Sequence, residues 1–127
     1  MTMIFEDIKA VEILETDVEG VYCMRWGSQP TISNVNRAFD ELQEHLQNAT
    51  SPIAVIVDIR ADPAFHLQVT GKRALSITRH SRFDQWMVVG SNRSAQMISN
   101  VLKSVVNAKI TWFDSCESAL THLSASQ

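Results

Sequence analysis

The sequence predicts an α/β fold: a mixed sheet of about five strands, opened by an antiparallel hairpin and continued by parallel βα units, with four helices. Three observations carry this. The run Ile53-Ala54-Val55-Ile56-Val57-Asp58-Ile59 is apolar and β-branched, as a central strand buried on both faces would be. Beyond it, short apolar runs alternate with stretches of helical period. The 127 residues, 45% hydrophobic and 20% charged, suffice for one domain (1–127) with its own core.

The elements follow in order. Val11 to Glu15 alternates apolar and acidic residues, the pattern of a half-buried strand. Thr16-Asp17-Val18-Glu19-Gly20 supplies turn chemistry, and Val21-Tyr22-Cys23-Met24-Arg25-Trp26 completes a hairpin that Gly27-Ser28-Gln29-Pro30 closes. Ile32, Val35, Phe39, Leu42 and Leu46 then form one helical stripe, with Thr31 or Ser33 as N-cap and Asn48 to Pro52 as terminator. After the central strand, a second helix is expected from about Pro63 to His80, with Asp62 as N-cap and proline in the first turn. Leu67, Gly71, Ala74 and Thr78 would be its packing stripe, with Leu75 and Ile77 beside it.

Trp86-Met87-Val88-Val89 reads as a further strand, closed by Gly90-Ser91-Asn92. The third helix carries Met97, Ile98, Val101, Leu102 and Val105 on one face. Ile110-Thr111-Trp112-Phe113 is the last strand. Asp114, with Glu117 three residues on, begins a final helix that buries Ala119, Leu120 and Leu123.

Several function classes are excluded or disfavoured. A formal net charge of -3 supplies no basic field for general nucleic-acid binding. No dinucleotide, Walker, HExxH or GxSxG pattern occurs, so no cofactor and no catalytic residue are expected. His45, His66, His80 and His122 are scattered over different elements, and Cys23 and Cys116 make no metal-ligand spacing; no metal is expected. The first 15 residues hold Glu6, Asp7, Glu12 and Glu15 against Lys9, unlike a secretory leader, and no apolar run is long enough to span a bilayer. A cytoplasmic protein is expected.

Three places are candidate sites. Asp58 and Arg60, with Asp62 beyond, emerge at the carboxyl end of the central strand, where open α/β sheets bind ligands. Ser91, Asn92 and Arg93 sit at a strand-to-helix turn that suits an anion, although capping explains Ser91 or Asn92 equally well. Lys72, Arg73, Arg79, His80 and Arg82 concentrate positive charge in and after the second helix, either a solvated face or a dock for an acidic partner or head-group phosphate. Cys116 falls in the first turn of a helix, whose dipole is expected to lower its thiol pKa.

The order of elements resembles the SpoIIAA-like branch of the STAS domains, from about Val11 to Leu123. Asp58-Ile59-Arg60 matches that branch's Asp-Leu-Arg strand end, and Ile110 to Leu120 its late strand, polar turn and Ala-Leu helix. The wider family's antagonists are switched by phosphorylation of a serine or threonine just after the central strand. This chain departs from that pattern: no serine occurs between Arg60 and Ser76, and Thr70-Gly71 is the only local counterpart, reached across an insertion through Ala64 to Val69. The branch is also similar in shape to CRAL-TRIO lipid-exchange domains, so the resemblance implies protein docking or capture of an apolar ligand.

The resulting expectation is a non-enzymatic regulatory or protein-binding module for signalling, without the usual serine phosphoswitch. The alternative is a carrier of a small apolar ligand or lipid, held in a groove beside the second helix with Phe65 and Leu67 as its lip. A homodimer paired through the hairpin's edge strand, at Tyr22 and Trp26, is a further expectation.

Overall fold

The structure, a computed structural model, describes residues 11–126. Glu6, Asp7 and Lys9 of the acidic leading segment lie outside the described residues. The elements are β1 (Val11–Glu15), β2 (Val21–Trp26), α1 (Ile32–Gln47), β3 (Ile53–Asp58), α2 (Leu67–Thr78), β4 (Phe83–Val89), α3 (Arg93–Val106), β5 (Ile110–Phe113) and α4 (Cys116–Ser126). The expected order, five strands and four helices are all present.

Strand order in the sheet equals strand order in the chain, β1-β2-β3-β4-β5. The β1–β2 pair is antiparallel, with Val11 opposite Trp26, and the other three pairings are parallel. Thr16 Oγ1 donates within the hairpin turn and Gly20 adopts φ +79°, where a side chain would be strained. The three crossovers from β2 to β5 all step in one direction. Right-handed crossovers then force α1, α2 and α3 onto a single face, and among the described residues α4 alone covers the other.

Two cores result, one on each face. The larger joins Met24, Val55, Trp86 and Val88 of the sheet to Phe39 and Leu42 of α1, Ala74 and Ile77 of α2, and Leu102 of α3. The smaller joins Val21, Ala54, Ile56, Met87 and Val89 to Ala119 and Leu123 of α4. β3 is buried on both faces because it lies at the centre of the sheet.

Thr31 caps α1 in a reciprocal box with Asn34, and Val35, Phe39, Leu42 and Leu46 are buried. Ile32, expected on the same stripe, is exposed.

Several local expectations are corrected. α2 begins at Leu67, not Pro63, and its N-cap is His66. Asp62 sits at φ +54° and its carboxylate accepts from Asn92 Nδ2 at 2.7 Å, so it is not free to cap α2. Ala64 N donates to Ser28 O, holding the segment extended. The buried stripe of α2 is Thr70, Ala74 and Ile77, rotated away from Leu67 and Gly71.

On α3, Met97, Val101 and Val105 are exposed, and Ser99 and Leu102 are the buried positions. The cap of α4 is Ser115, whose Oγ accepts from Ser118 N at 3.0 Å, rather than Asp114. Finally, β1 and β5 are the sheet edges; β2 is internal, Trp26 is buried and Tyr22 stacks on His45. Neither residue offers a free edge for pairing.

Candidate functional site

Asp58 ends β3 with its side chain on the α4 face, and Arg60 turns back to meet it. Arg60 Nε and Nη2 donate to Asp58 Oδ1 and Oδ2 at 2.9 and 2.8 Å, and the Arg60 amide adds a bond to Oδ1. This fork holds the Asp58 carboxyl below its ordinary pKa and raises that of the guanidinium. Asp58 is only 5% exposed, whereas Arg60 reaches solvent. The strand terminus can turn so tightly because Gly90, at φ +115°, lies against it. A Cβ there would stand 3.2 Å from Arg60 N and 3.3 Å from Ile59.

Both cysteines join this cluster. Cys116, at the start of α4, points its thiol at Asp58 Oδ2, 3.7 Å away, and accepts from Arg60 Nη2 at the same distance. Cys23 on β2 lies beside Cys116, and both cysteines are free thiols. Burial pushes the Cys23 thiol up to about 12, with Cys116 and Asp58 adding to the rise. The Cys116 thiol is also raised, by burial first and then by Asp58. The expected lowering is not met: burial first, and then the neighbouring Asp58 carboxylate, raise the thiol pKa. At neutral pH both thiols carry their protons, and Asp58 has its charge spent on Arg60.

A second constellation lies on the opposite face of β3, between the sheet and α2 and α3. A cavity of about 60 Å³ is lined by Trp26, Phe39, Phe65, Trp86, Ile98 and their neighbours, and among the described residues no ionisable one lines it. Phe65 is placed there by the extended segment before α2, its ring 4.8 Å from that of Trp26. Three lining residues carry buried polar atoms with no hydrogen-bond partner: Trp26 Nε1, Thr70 Oγ1 and Ser99 Oγ, in residues 2%, 4% and 4% exposed. Each such atom costs about 1–3 kcal/mol when left unpaired. By contrast Trp86 Nε1, in the same wall, donates to Thr78 Oγ1 at 2.8 Å. One further unpaired atom, Gln85 Oε1, lies elsewhere; the amide nitrogen of that side chain donates to Asp84.

Outside the cavity, α2 and α3 leave a groove of about 350 Å³ lined by Leu67, Leu75, Met97, Ile98, Val101 and Leu102. Ile98 and Leu102 line both the groove and the cavity.

The other sequence candidates are dispersed. Lys72 borders the outer groove. Arg73 is spent on α1, donating to Asp40 at 2.6 Å and to Asn36 and lying over the Phe39 ring. Arg79 ends α2. Asn92 caps α3, accepting from Ala95 N, and its amide bonds Asp62, which sets a carboxylate beside the Ser91–Arg93 turn. Thr70 faces inward. Sequence reasoning missed Trp26 and Ser99 as cavity-lining residues, because a buried hydroxyl or indole without a partner leaves no pattern in the chain.

Neither a family model nor a curated protein matches this sequence. Among solved structures, the chain is similar to an uncharacterized protein of the DUF3478 family with a SpoIIAA-like fold, from Shewanella loihica PV-4. The two share 17% identity and superpose with a TM-score of 0.66, over 90% of this chain and 92% of that one. Among the described residues, no helix is long and apolar enough to cross a membrane.

Proposed function

We propose, from the premise of a SpoIIAA-like fold, that this protein is a non-enzymatic binding module that takes up a small apolar ligand in the cavity beneath α2. The observation that carries the reading is the cavity itself, walled by aromatic and aliphatic side chains and placed between sheet and helices. The polar cluster around Asp58 speaks against catalysis: its carboxylate is neutralised by Arg60 and its neighbouring thiols stay protonated, so it offers neither a free base nor an activated nucleophile. Phosphorylation of Thr70 is disfavoured, since its hydroxyl is buried against the sheet.

Titration with xenon, an apolar atom small enough for the 60 Å³ cavity, followed by xenon NMR, tests this reading. We expect saturable, one-to-one binding that an Ala95→Leu substitution in the cavity wall abolishes while the protein stays folded. Undiminished binding by that variant would sink it. A regulatory module that docks a protein partner is the second reading, and the exposed strip of Met97, Val101 and Val105 on α3 favours it. A Val101→Glu variant that keeps every partner of the native protein would remove that support.

A further inference from the structure

The groove between α2 and α3 combines an apolar lining with charge of one sign. Leu67, Gly71 and Leu75 stand four residues apart on α2, so the lining extends roughly 12 Å along that helix. Met97 and Val101, also four apart, line the α3 side, and both are exposed, as is Leu67. Gly71 leaves a gap midway along α2: a Cβ there meets nothing within 4 Å. A glycine inside a helix weakens it, and here it leaves a hole of the kind that receives a side chain from a neighbouring helix. The chain holds 14 acidic residues against 11 lysines and arginines, yet Leu67–Thr78 and Arg93–Val106 contain no acidic residue. Lys72 lines the groove. Arg79, seven residues on, falls on the same side of α2, and Arg93 lies one turn before Met97 on α3. All three are exposed, and none makes a salt bridge to another described residue.

The geometry points to a docking groove for an acidic amphipathic helix of a protein partner, apolar on its inner stripe and carrying carboxylates along its flanks. One apolar side chain of that helix seats over Gly71, its neighbours pack on Leu67, Leu75, Met97 and Val101, and the carboxylates meet Lys72, Arg79 and Arg93. This rests on the partner-docking reading above, specifies the partner's chemistry, and is independent of the cavity. A second copy of this chain fits the groove less well. A two-fold contact sets the cations against their own counterparts, and α1, which carries Asp40, Glu41 and Glu44, has its apolar stripe buried. An anionic bilayer is disfavoured by the concave shape, which a flat surface does not fill, and by the net charge of -3.

Two fluorescein-labelled peptides of about 18 residues test this, sharing one leucine stripe at helical spacing and flanked by glutamate in one and lysine in the other. Anisotropy titrations at neutral pH and low salt compare the native protein with Gly71→Leu and with Lys72→Glu/Arg79→Glu, each checked for folding by circular dichroism. The glutamate peptide is expected to bind the native protein at least about fivefold more tightly than the lysine peptide, the effect of a few exposed charge pairs. Gly71→Leu fills the hole and weakens both peptides at least about tenfold. Lys72→Glu/Arg79→Glu reverses the preference between them. Equal affinity for the two peptides, lost in Gly71→Leu, overturns the acidic partner while leaving the groove as a dock. Binding undiminished in Gly71→Leu places the peptide elsewhere and overturns the inference. Self-association in sedimentation equilibrium that Val101→Glu abolishes gives the groove to a second copy instead. Binding to phosphatidylcholine–phosphatidylserine vesicles that Lys72→Glu/Arg79→Glu abolishes gives it to a membrane, and either result overturns the assignment. Failure of both peptides to bind the native protein removes the partner-docking reading, and this inference with it.

Discussion

Two groups of polar atoms sit on opposite faces of the same central strand, and they are treated in opposite ways. At the carboxyl end of β3, Asp58 has both oxygens engaged by Arg60 and receives a thiol from Cys116. Beneath α2, Trp26, Thr70 and Ser99 each keep a buried polar atom unpaired. The first arrangement is closed and stabilises the fold; the second lowers stability unless something binds. Charge is thus paired at the strand end, whereas the uncharged groups on the opposite face are the ones left without a partner.

The largest expected effect attacks the closed side. Replacing Arg60 with methionine leaves the buried Asp58 carboxylate without its fork, and urea unfolding at pH 7 should show a loss of about 2–3 kcal/mol. The pH dependence follows from the sign of the shift. The folded pKa of Asp58 lies below its unfolded value near 3.9. Its contribution is thus fully present above about pH 4 and is lost as pH falls through the folded value. In Arg60→Met that acid-side decline should be smaller. An unchanged decline would mean that Arg60 is not what stabilises the carboxylate.

Next in size is Gly90→Ala, which places a Cβ at φ +115° against Ile59 and Arg60. A loss of about 2 kcal/mol is expected from backbone strain and crowding, read as a lower urea midpoint with an unchanged slope.

The open side should respond with the opposite sign. Without ligand, Ser99→Ala and Thr70→Val each remove an unpaired buried hydroxyl and should raise stability by about 1 kcal/mol. If both variants are destabilised instead, the hydroxyls are paired in solution and the contrast between the faces collapses.

The smallest effect is Gly71→Ala. A Cβ there meets nothing within 4 Å and the backbone is helical, so α2 should gain about 0.5–1 kcal/mol, seen as a small rise in melting temperature.

Periodicity made most of the fold legible. The alternation of Val11 to Glu15, the three-and-four spacing from Val35 to Leu46 and the β-branched run from Ile53 each report a local geometry that burial then uses. Local signals failed where a partner distant in sequence took the residue. Asp62 and Pro63 form a good helix start, but Asn92, far along the chain, claims the Asp62 carboxylate and bonds the Pro63 carbonyl. The α3 stripe misled for another reason: its apolar face is wider than the core it meets, so Met97 and Val101 remain outside, Val101 at 56% exposure. Asp58 and Arg60 stood out because they are charged and follow the central strand. Trp26, Thr70 and Ser99 are ordinary residues whose significance lies in the lack of a partner, a property of the assembled structure alone.

The sheet whose strands lie side by side in chain order has a consequence for synthesis. Each strand pairs with the one made immediately before it, so a nascent chain can extend its sheet by accretion, one βα unit at a time, with no gap held open for a later arrival. The three helices over the large core are laid down along the way. Among the described residues, the surface of β3 and β4 that carries Ile56, Met87 and Val89 has no such cover until α4 emerges. During that interval it is an exposed apolar surface of the kind a chaperone holds.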